Sequence, residues 1–177
     1  LVGSEMCIRD RTEIAEMVWT LSNLFRTSLN KGNRYVTVDH EFQFLEQYLR
    51  LQQLRYGSKI TYQIDLAENA KTLFIPKLIL QPIVENAIYH GLEPKGEQGS
   101  VTVSCFLQAD KLHFRMSDNG VGMETQVLTA LRDGTNQSTT TGGYALHNVR
   151  ERLRIIYQNN FTMTITCLLY TSDAADE

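Results

Sequence analysis

The spacing of apolar residues predicts two helices at the start of the chain. Apolar side chains recur every three or four positions between Thr12 and Asn30, which is typical of an amphipathic helix. A second helix is predicted from about Asp39 to Tyr56, with Thr37 or Asp39 as its N-cap and Gly57 as its terminator.

Alternation of apolar and polar residues predicts strands in the rest of the chain. Residues 59–66 (KITYQIDL) form one, and residues 100–107 and 111–118 form an antiparallel hairpin around a short turn at residues 108–110. Short helices are predicted at Glu124–Arg132 and Tyr144–Tyr157, and FTMTIT (161–166) is predicted as a last strand. This combination indicates an α+β fold.

The segment LILQPIVENAIYHGLEP (residues 78–94) combines a strongly apolar character with polar residues. Pro76 is expected to open its helix, because its fixed φ and missing N–H suit a first turn, and Gly91 is expected to end it. One stripe of the helix is apolar and must face a core: Leu80, Ile83, Val84, Ala87 and Ile88.

Four polar residues border that stripe. Asn86 and His90 are four positions apart and share a face, with Glu85 and Tyr89 beside them. Polar groups at the edge of a buried stripe indicate a cavity, although in many helices they only satisfy neighbouring backbone groups.

Two glycine-containing segments add chemistry. SDNGVGM (117–123) suits either a hairpin turn or a ligand-binding loop, in which the Asp118 carboxylate could accept a hydrogen bond from an amine such as that of adenine. Gly120 and Gly122 lack the Cβ atoms that would hold the backbone away from a flat ring. In TGGYALHNVRERL (141–153) a glycine-rich loop runs into a helix, an arrangement that favours phosphate. Together with the Asn86 amide, which suits a hard cation, these segments predict a nucleotide site.

These segments resemble motifs of the gyrase, histidine-kinase and MutL ATPase superfamily (GHKL), and within it the LytS-type sensor histidine kinases. LQPIVENAIYHG resembles the N box, DNGVGM the first Gly box and GGYALHNVRERL the second, and the resemblance spans almost all of residues 14–166. It implies a two-layer α/β sandwich preceded by helices. It also implies the ATP-binding catalytic portion of a two-component protein-histidine kinase that uses ATP and Mg²⁺.

The resemblance assigns roles to individual residues. Glu85, Asn86 and His90 would be catalytic, with Asn86 coordinating Mg²⁺ through its amide oxygen and Glu85 acting as a general base or a water- and metal-organising group. Asp118 would hold the adenine amine. The further nucleotide contacts implied are Tyr89, His90, Gly120, Gly122, Gly142, Gly143, Tyr144, Leu146 and Asn148.

The chain departs from the family at two positions and lacks one expected motif. Ala145 stands where a glycine is usual, and Tyr89 stands where a lysine is more frequent. None of His40, His113 and His147 lies in a sequence motif that suits a phosphoacceptor. The family carries that histidine in a Pro-His-Phe motif, so the acceptor is expected upstream of this sequence.

Composition matters chiefly at the two ends. LVGSEMCIRD and CLLYTSDAADE resemble translated sequencing adapters, so residues 1–10 and 167–177 are expected to be non-native. Residues 11–35 would then end a dimerisation and phosphoacceptor hairpin, and residues 36–166 would be the catalytic domain without its C-terminal strand. Without the flanks the formal charge changes from −3 to +1 and Cys105 is the one remaining cysteine, which fits a reducing compartment.

The resemblance also implies partners and a location. We expect a homodimer formed through the N-terminal hairpin, a response-regulator receiver domain as partner and no nucleic acid. No apolar run approaches the roughly 18 residues of a membrane span. A membrane anchor is therefore expected only in segments outside this sequence. This domain would then lie on the cytoplasmic side of a membrane-anchored bacterial protein. Two alternatives stay open: another GHKL ATPase, in which Glu85 activates water, and a non-catalytic ATP-binding or dimerisation module.

Overall fold

Three helices pack against a mixed three-stranded sheet in the computed structural model, which describes Val18, Ser22 and residues 33–133, 141–158 and 160–167. The first half of the chain forms β1 (Tyr35–Thr37), α1 (Val38–Tyr56), β2 (Ile60–Leu66), β3 (Phe74–Pro76) and α2 (Gln81–Asn86, continued by a π-helical turn at Ala87–Leu92). The second half forms β4 (Gly99–Gln108), β5 (Lys111–Asp118), α3 (Thr125–Asp133) and α4 (Thr141–Tyr157). The predicted helix at residues 12–30 lies outside the described residues except for Val18 and Ser22, which are both helical.

The sheet has the order β2-β4-β5. β2 pairs in parallel with β4, from Ile60 opposite Gly99 onward, and β4 pairs with β5 as the predicted antiparallel hairpin. β1 and β3, which the sequence did not predict, form a separate two-stranded antiparallel ladder. Within the described ranges, no helix combines the length and apolar composition needed to cross a membrane.

The core lies between the helices and one face of the sheet. On β4, Val101, Val103 and Cys105 are buried, whereas the residues between them are only half-buried. The predicted apolar stripe of α2 meets this face, with Val84 and Ile88 fully buried. The predicted α+β fold, with helices layered on a sheet, is therefore confirmed.

The boundaries of α2 differ from the prediction. Pro76 ends β3 and does not open the helix, which begins at Gln81 with Pro82 in its first turn. The helix also does not stop at Gly91, because the π-helical turn continues to Leu92 and the N–H of Glu93 bonds the carbonyl of Ile88 at 2.8 Å. Such π turns are frequent at functional sites.

Two further expectations near the end of the chain are wrong. α4 begins at Thr141 and not at Tyr144, so the second glycine-containing motif starts inside the helix. FTMTIT forms no strand in the structure, because its alternating residues join no ladder among the described strands. The segment instead passes α3, where Nε of Arg132 donates to the carbonyl of Ile165 at 3.1 Å.

The turn between β4 and β5 holds strain that a substitution should release. Ala109 and Asp110 have φ values of 48° and 59°, as a two-residue type I′ turn requires, and alanine is costly in this region. We expect Ala109→Gly to raise the free energy of unfolding by about 0.5–1 kcal/mol, measured by urea unfolding. The control is Ala67→Gly, at φ −63°, which should lower it. Equal effects at the two positions would contradict the assignment of strain to Ala109.

Candidate functional site

Among the predicted site residues with polar side chains, Asn86 is the buried one. Its side chain is 7% exposed, and its Oδ1 is buried without a hydrogen-bond partner among the described residues. An unsatisfied buried acceptor costs about 1–3 kcal/mol, so this position is suited to an occupant that the protein itself does not supply. An amide oxygen is a ligand that hard cations such as Mg²⁺ accept, and the residue present therefore fits the predicted metal role.

Glu85 and Tyr89 lie beside Asn86 and are tied to neighbouring side chains. The carboxylate of Glu85 accepts a hydrogen bond from Nε2 of Gln81 at 2.7 Å, one helical turn earlier. The hydroxyl of Tyr89 accepts a long bond from Nε2 of Gln52 on α1, at 3.4 Å. Burial, reinforced by the Tyr89 hydroxyl and the Glu85 carboxylate, raises the pKa of Tyr48 on α1. His90, by contrast, is exposed at the end of this group.

The loop after β5 meets the end of α2 directly. Oδ1 of Asp118 accepts the N–H of Gly120 at 2.9 Å, which orients an otherwise exposed carboxylate. The N–H of Val121 donates to the carbonyl of Gly91 at 2.9 Å. A Cβ on Gly120 would lie 2.4 Å from the carbonyl carbon of Gly91, so this contact requires glycine. Gly122 also requires glycine, since its φ is 79°.

Two residues that fasten this loop were not identified from the sequence. The side chain of Asn119 accepts the N–H of Ser100 at 2.8 Å, which fixes the loop to the start of β4. Nζ of Lys95 donates to the carbonyl of Asn119 at 3.0 Å. The Asn-Gly pair indicated only a turn, and no local pattern indicates that the turn is bound to another strand.

The second glycine-containing motif lies along α4, which packs against α2. Gly142 and Gly143 belong to the first turn, where backbone N–H groups have no partner within the helix. Tyr144 and Asn148 are exposed, whereas Leu146 is buried. The predicted contacts of α4 therefore do not share one surface: Leu146 contributes to packing, and Tyr144 and Asn148 face outward.

A buried glutamate sets the start of α2. Glu41 on α1 is 2% exposed, and its carboxylate accepts the N–H groups of Leu78, Ile79 and Leu80 at 2.9, 2.8 and 3.2 Å. These donors precede the first turn of α2, where a negative charge is also favoured by the helix dipole. Leu78 has a φ of 56°, which places it in the left-handed region.

An arginine of α4 holds the same segment from the other side. Arg152 donates from Nη2 to the carbonyl of Lys77 at 2.5 Å and from Nη1 to that of Leu78 at 3.1 Å. These roles could not be predicted from local patterns, because Glu41 and Arg152 lie in ordinary amphipathic helices. Together they join α1, α2 and α4 at one point.

Two segments of the chain match known protein families. Residues 74–167, just over half of the chain, match the family described as histidine kinase-, DNA gyrase B-, and HSP90-like ATPase. Residues 2–60 match the family described as histidine kinase. The histidine kinase match covers α1, and the ATPase match covers α2.

Curated relatives align over most of the chain. It is 29% identical over 153 residues to the sensor histidine kinase YesM of Bacillus subtilis (strain 168), covering 86% of this chain and 25% of the relative. It is 31% identical over 150 residues to the sensor protein kinase HptS of Staphylococcus aureus (strain USA300), covering 84% of this chain and 29% of the relative. The chain thus spans less than a third of the length of either protein.

The role of Glu41 predicts a specific loss of stability. In Glu41→Gln the amide oxygen can still accept hydrogen bonds, but its NH₂ group would face the N–H of Leu78 or its neighbours. We expect the free energy of unfolding in urea to fall by about 2 kcal/mol, the cost of an unpaired buried donor. Glu46→Gln, at an exposed position of the same helix, should change it by less than about 0.5 kcal/mol. A similar small change for both variants would show that the buried carboxylate is dispensable.

The contact between Gly91 and Gly120 predicts an asymmetry between two alanine variants. The Cβ of Gly120→Ala would meet backbone, which cannot move aside, so a loss of about 3 kcal/mol is expected. The Cβ of Gly91→Ala would lie 2.9 Å from Oδ1 of Asp118, a side-chain atom that can rotate away, so the loss should be below about 1 kcal/mol. Thermal or urea unfolding measures both, and equal losses would argue against the close backbone approach.

Proposed function

Because this chain belongs to the histidine kinase-, DNA gyrase B- and HSP90-like ATPase family, we propose that it is the ATP-binding catalytic portion of a two-component sensor histidine kinase. The observation that carries this proposal is the histidine kinase match at residues 2–60, directly ahead of the ATPase match in the same chain. Relatives that are named as sensor kinases and align over most of the chain support it further.

The proposed reaction transfers the γ-phosphoryl group of ATP to a histidine upstream of this sequence. The bond from the γ-phosphorus to the bridging oxygen breaks, a bond to an imidazole nitrogen forms, and ADP leaves. Such transfer depends mainly on positioning and charge stabilisation. Mg²⁺, when bound, would neutralise charge on the phosphate oxygens, and the buried, unpartnered Oδ1 of Asn86 supports this residue as its protein ligand.

The other predicted residues would act around Asn86. Asp118 would accept the adenine amine, since its carboxylate is exposed and oriented by Gly120. The N–H groups of Gly142 and Gly143, in the first turn of α4, would face the phosphates. Glu85 would organise water or accept a proton near the transferred group. The remaining proposed contacts are Tyr89, His90, Gly122, Tyr144 and Asn148, whereas Leu146 is buried and contributes to packing.

Partners and a cellular location are also proposed for the protein. We propose a homodimer formed through the N-terminal hairpin, a response-regulator receiver domain as the phosphoryl acceptor from that histidine, and a cytoplasmic position in a membrane-anchored protein. The division into residues 1–10, 11–35, 36–166 and 167–177 likewise stays a prediction.

A chimaera tests the reaction itself. The segment of the Bacillus subtilis relative that aligns with this chain would be replaced by the chain and supplied with ATP labelled at the γ-phosphate. The expected product is a base-stable, acid-labile phosphoramidate on the protein. Release of labelled inorganic phosphate without protein label would instead favour an ATP-hydrolysing member of the family, and nucleotide binding with neither product would favour a non-catalytic module.

The metal role of Asn86 gives a separate prediction. ATP should bind the chain more tightly with Mg²⁺ than without it, and Asn86→Ala should reduce that gain by about tenfold because one ligand is lost. Isothermal titration calorimetry measures both affinities. Asn69→Ala removes an exposed amide elsewhere and should leave the gain unchanged. An unchanged gain in Asn86→Ala would remove the metal assignment.

A further inference from the structure

A row of polar side chains on α1 faces the candidate site. Tyr48, Gln52, Arg55 and Tyr56 follow one another at helical spacing and therefore share a face of α1. This face meets α2 at Tyr89, through the hydrogen bond from Gln52 and through the guanidinium of Arg55, which lies 6.0 Å from the Tyr89 ring centroid. We call these four residues the α1 polar face.

Arg55 carries a charge that no carboxylate of the described residues neutralises in an ion pair. Its guanidinium lies over the ring of Tyr56, 4.8 Å from the centroid, as well as near Tyr89. Such cation–π contacts orient an arginine and leave its N–H donors free for another partner. Arg55 is exposed, so a ligand can reach it.

Three other cationic side chains are already bound to backbone carbonyls. Lys95 donates to Gln98 and Asn119, Arg150 donates to Leu131 and Arg132, and Arg152 donates to Lys77 and Leu78. These three side chains hold the loop after β5, α3 and the start of α2 in place. Arg55 makes no such hydrogen bond to a described residue, so its guanidinium can donate to an anion bound beside Asn86.

Unsatisfied buried acceptors lie in the same region. Oε1 of Gln52 and Oδ1 of Asn86 are buried without hydrogen-bond partners among the described residues. Gln52 contacts Tyr89, and Tyr89 follows Asn86 by three positions, so the two acceptors flank one side chain. A hydrated metal–phosphate group offers both donors for these acceptors and negative charge for Arg55.

We propose that Arg55 is a nucleotide-binding residue whose guanidinium contacts the phosphates of ATP, with Tyr56 and Tyr89 holding it in orientation. This rests on the proposed function, because it requires ATP to bind at Asn86. It extends the nucleotide site from α2 and the two glycine-containing motifs onto α1.

A purely structural role for Arg55 makes a different prediction. A basic residue in the last turn of a helix also stabilises that helix through its dipole. Losing this effect would weaken the fold and reduce the binding of all ligands alike. A phosphate contact affects only ligands that carry phosphates, so comparing ATP with adenosine separates the two roles.

Calorimetric titration of the whole chain with Mg²⁺-ATP and with adenosine tests the proposal. Arg55→Gln, which keeps a planar polar group and removes the charge, should weaken ATP binding about tenfold and change adenosine binding by less than about twofold. Arg55→Ala should do the same, and provides the result if the first variant fails to fold. Arg115→Ala removes the same charge from an exposed position on β5 and should leave both affinities unchanged.

The other outcomes are distinct. Unchanged ATP affinity in both Arg55 variants, or an equal loss for ATP and adenosine, would overturn the assignment of Arg55. An equal loss of ATP affinity in Arg115→Ala would also overturn it, because the effect would then reflect net charge. If the unaltered chain binds neither ligand, it is the proposed function that fails.

Discussion

The three hydrogen bonds to the buried carboxylate of Glu41 are the interaction on which the candidate site depends. A carboxylate removed from water must be compensated, and here three backbone N–H groups and the start of a helix do so. Leu78, which makes one of these bonds, lies in the left-handed region, and a residue in that region cannot belong to an α-helix, so the helix begins at Gln81 and not at Pro76. The position of Asn86 along and around α2 follows from that starting point.

Arg152 on α4 adds a second constraint on the segment that precedes α2. α1 binds the N–H groups of the segment before α2, and α4 binds its carbonyls, so the segment is fixed by helices that precede and follow it in the chain. At the other end of α2, the Gly91–Gly120 approach fixes the loop that carries Asp118. α2 is thus held at both ends: Asn86, proposed for the metal, lies on this helix, and Asp118, proposed for adenine, ends β5 beside the loop that contacts the end of the helix.

Local patterns predicted the elements better than the contacts between them. α1 was predicted within one residue, because helical periodicity and the Thr37 cap, which accepts the N–H of His40, are both local. The start of α2 could not be predicted, since it depends on Glu41, 37 residues before Leu78. FTMTIT alternates like a strand, but a strand also needs a partner. Gly120 suggested room for a flat ring, whereas its closest neighbour is the backbone of Gly91.

The α1 polar face shows why the site cannot be assigned to the ATPase-matched segment alone. α1 lies within residues 2–60 and α2 within residues 74–167, yet the hydrogen bond between Gln52 and Tyr89 and the contact of Arg55 with Tyr89 join them. Buried acceptors without partners destabilise an interface between two helices, and a polar ligand that satisfies them makes the packing of the helices and ligand binding mutually dependent. If ATP binds beside Asn86 as proposed, a movement of α1 relative to α2 would alter its affinity, and this would be a physical route from the preceding segment of the chain to the site.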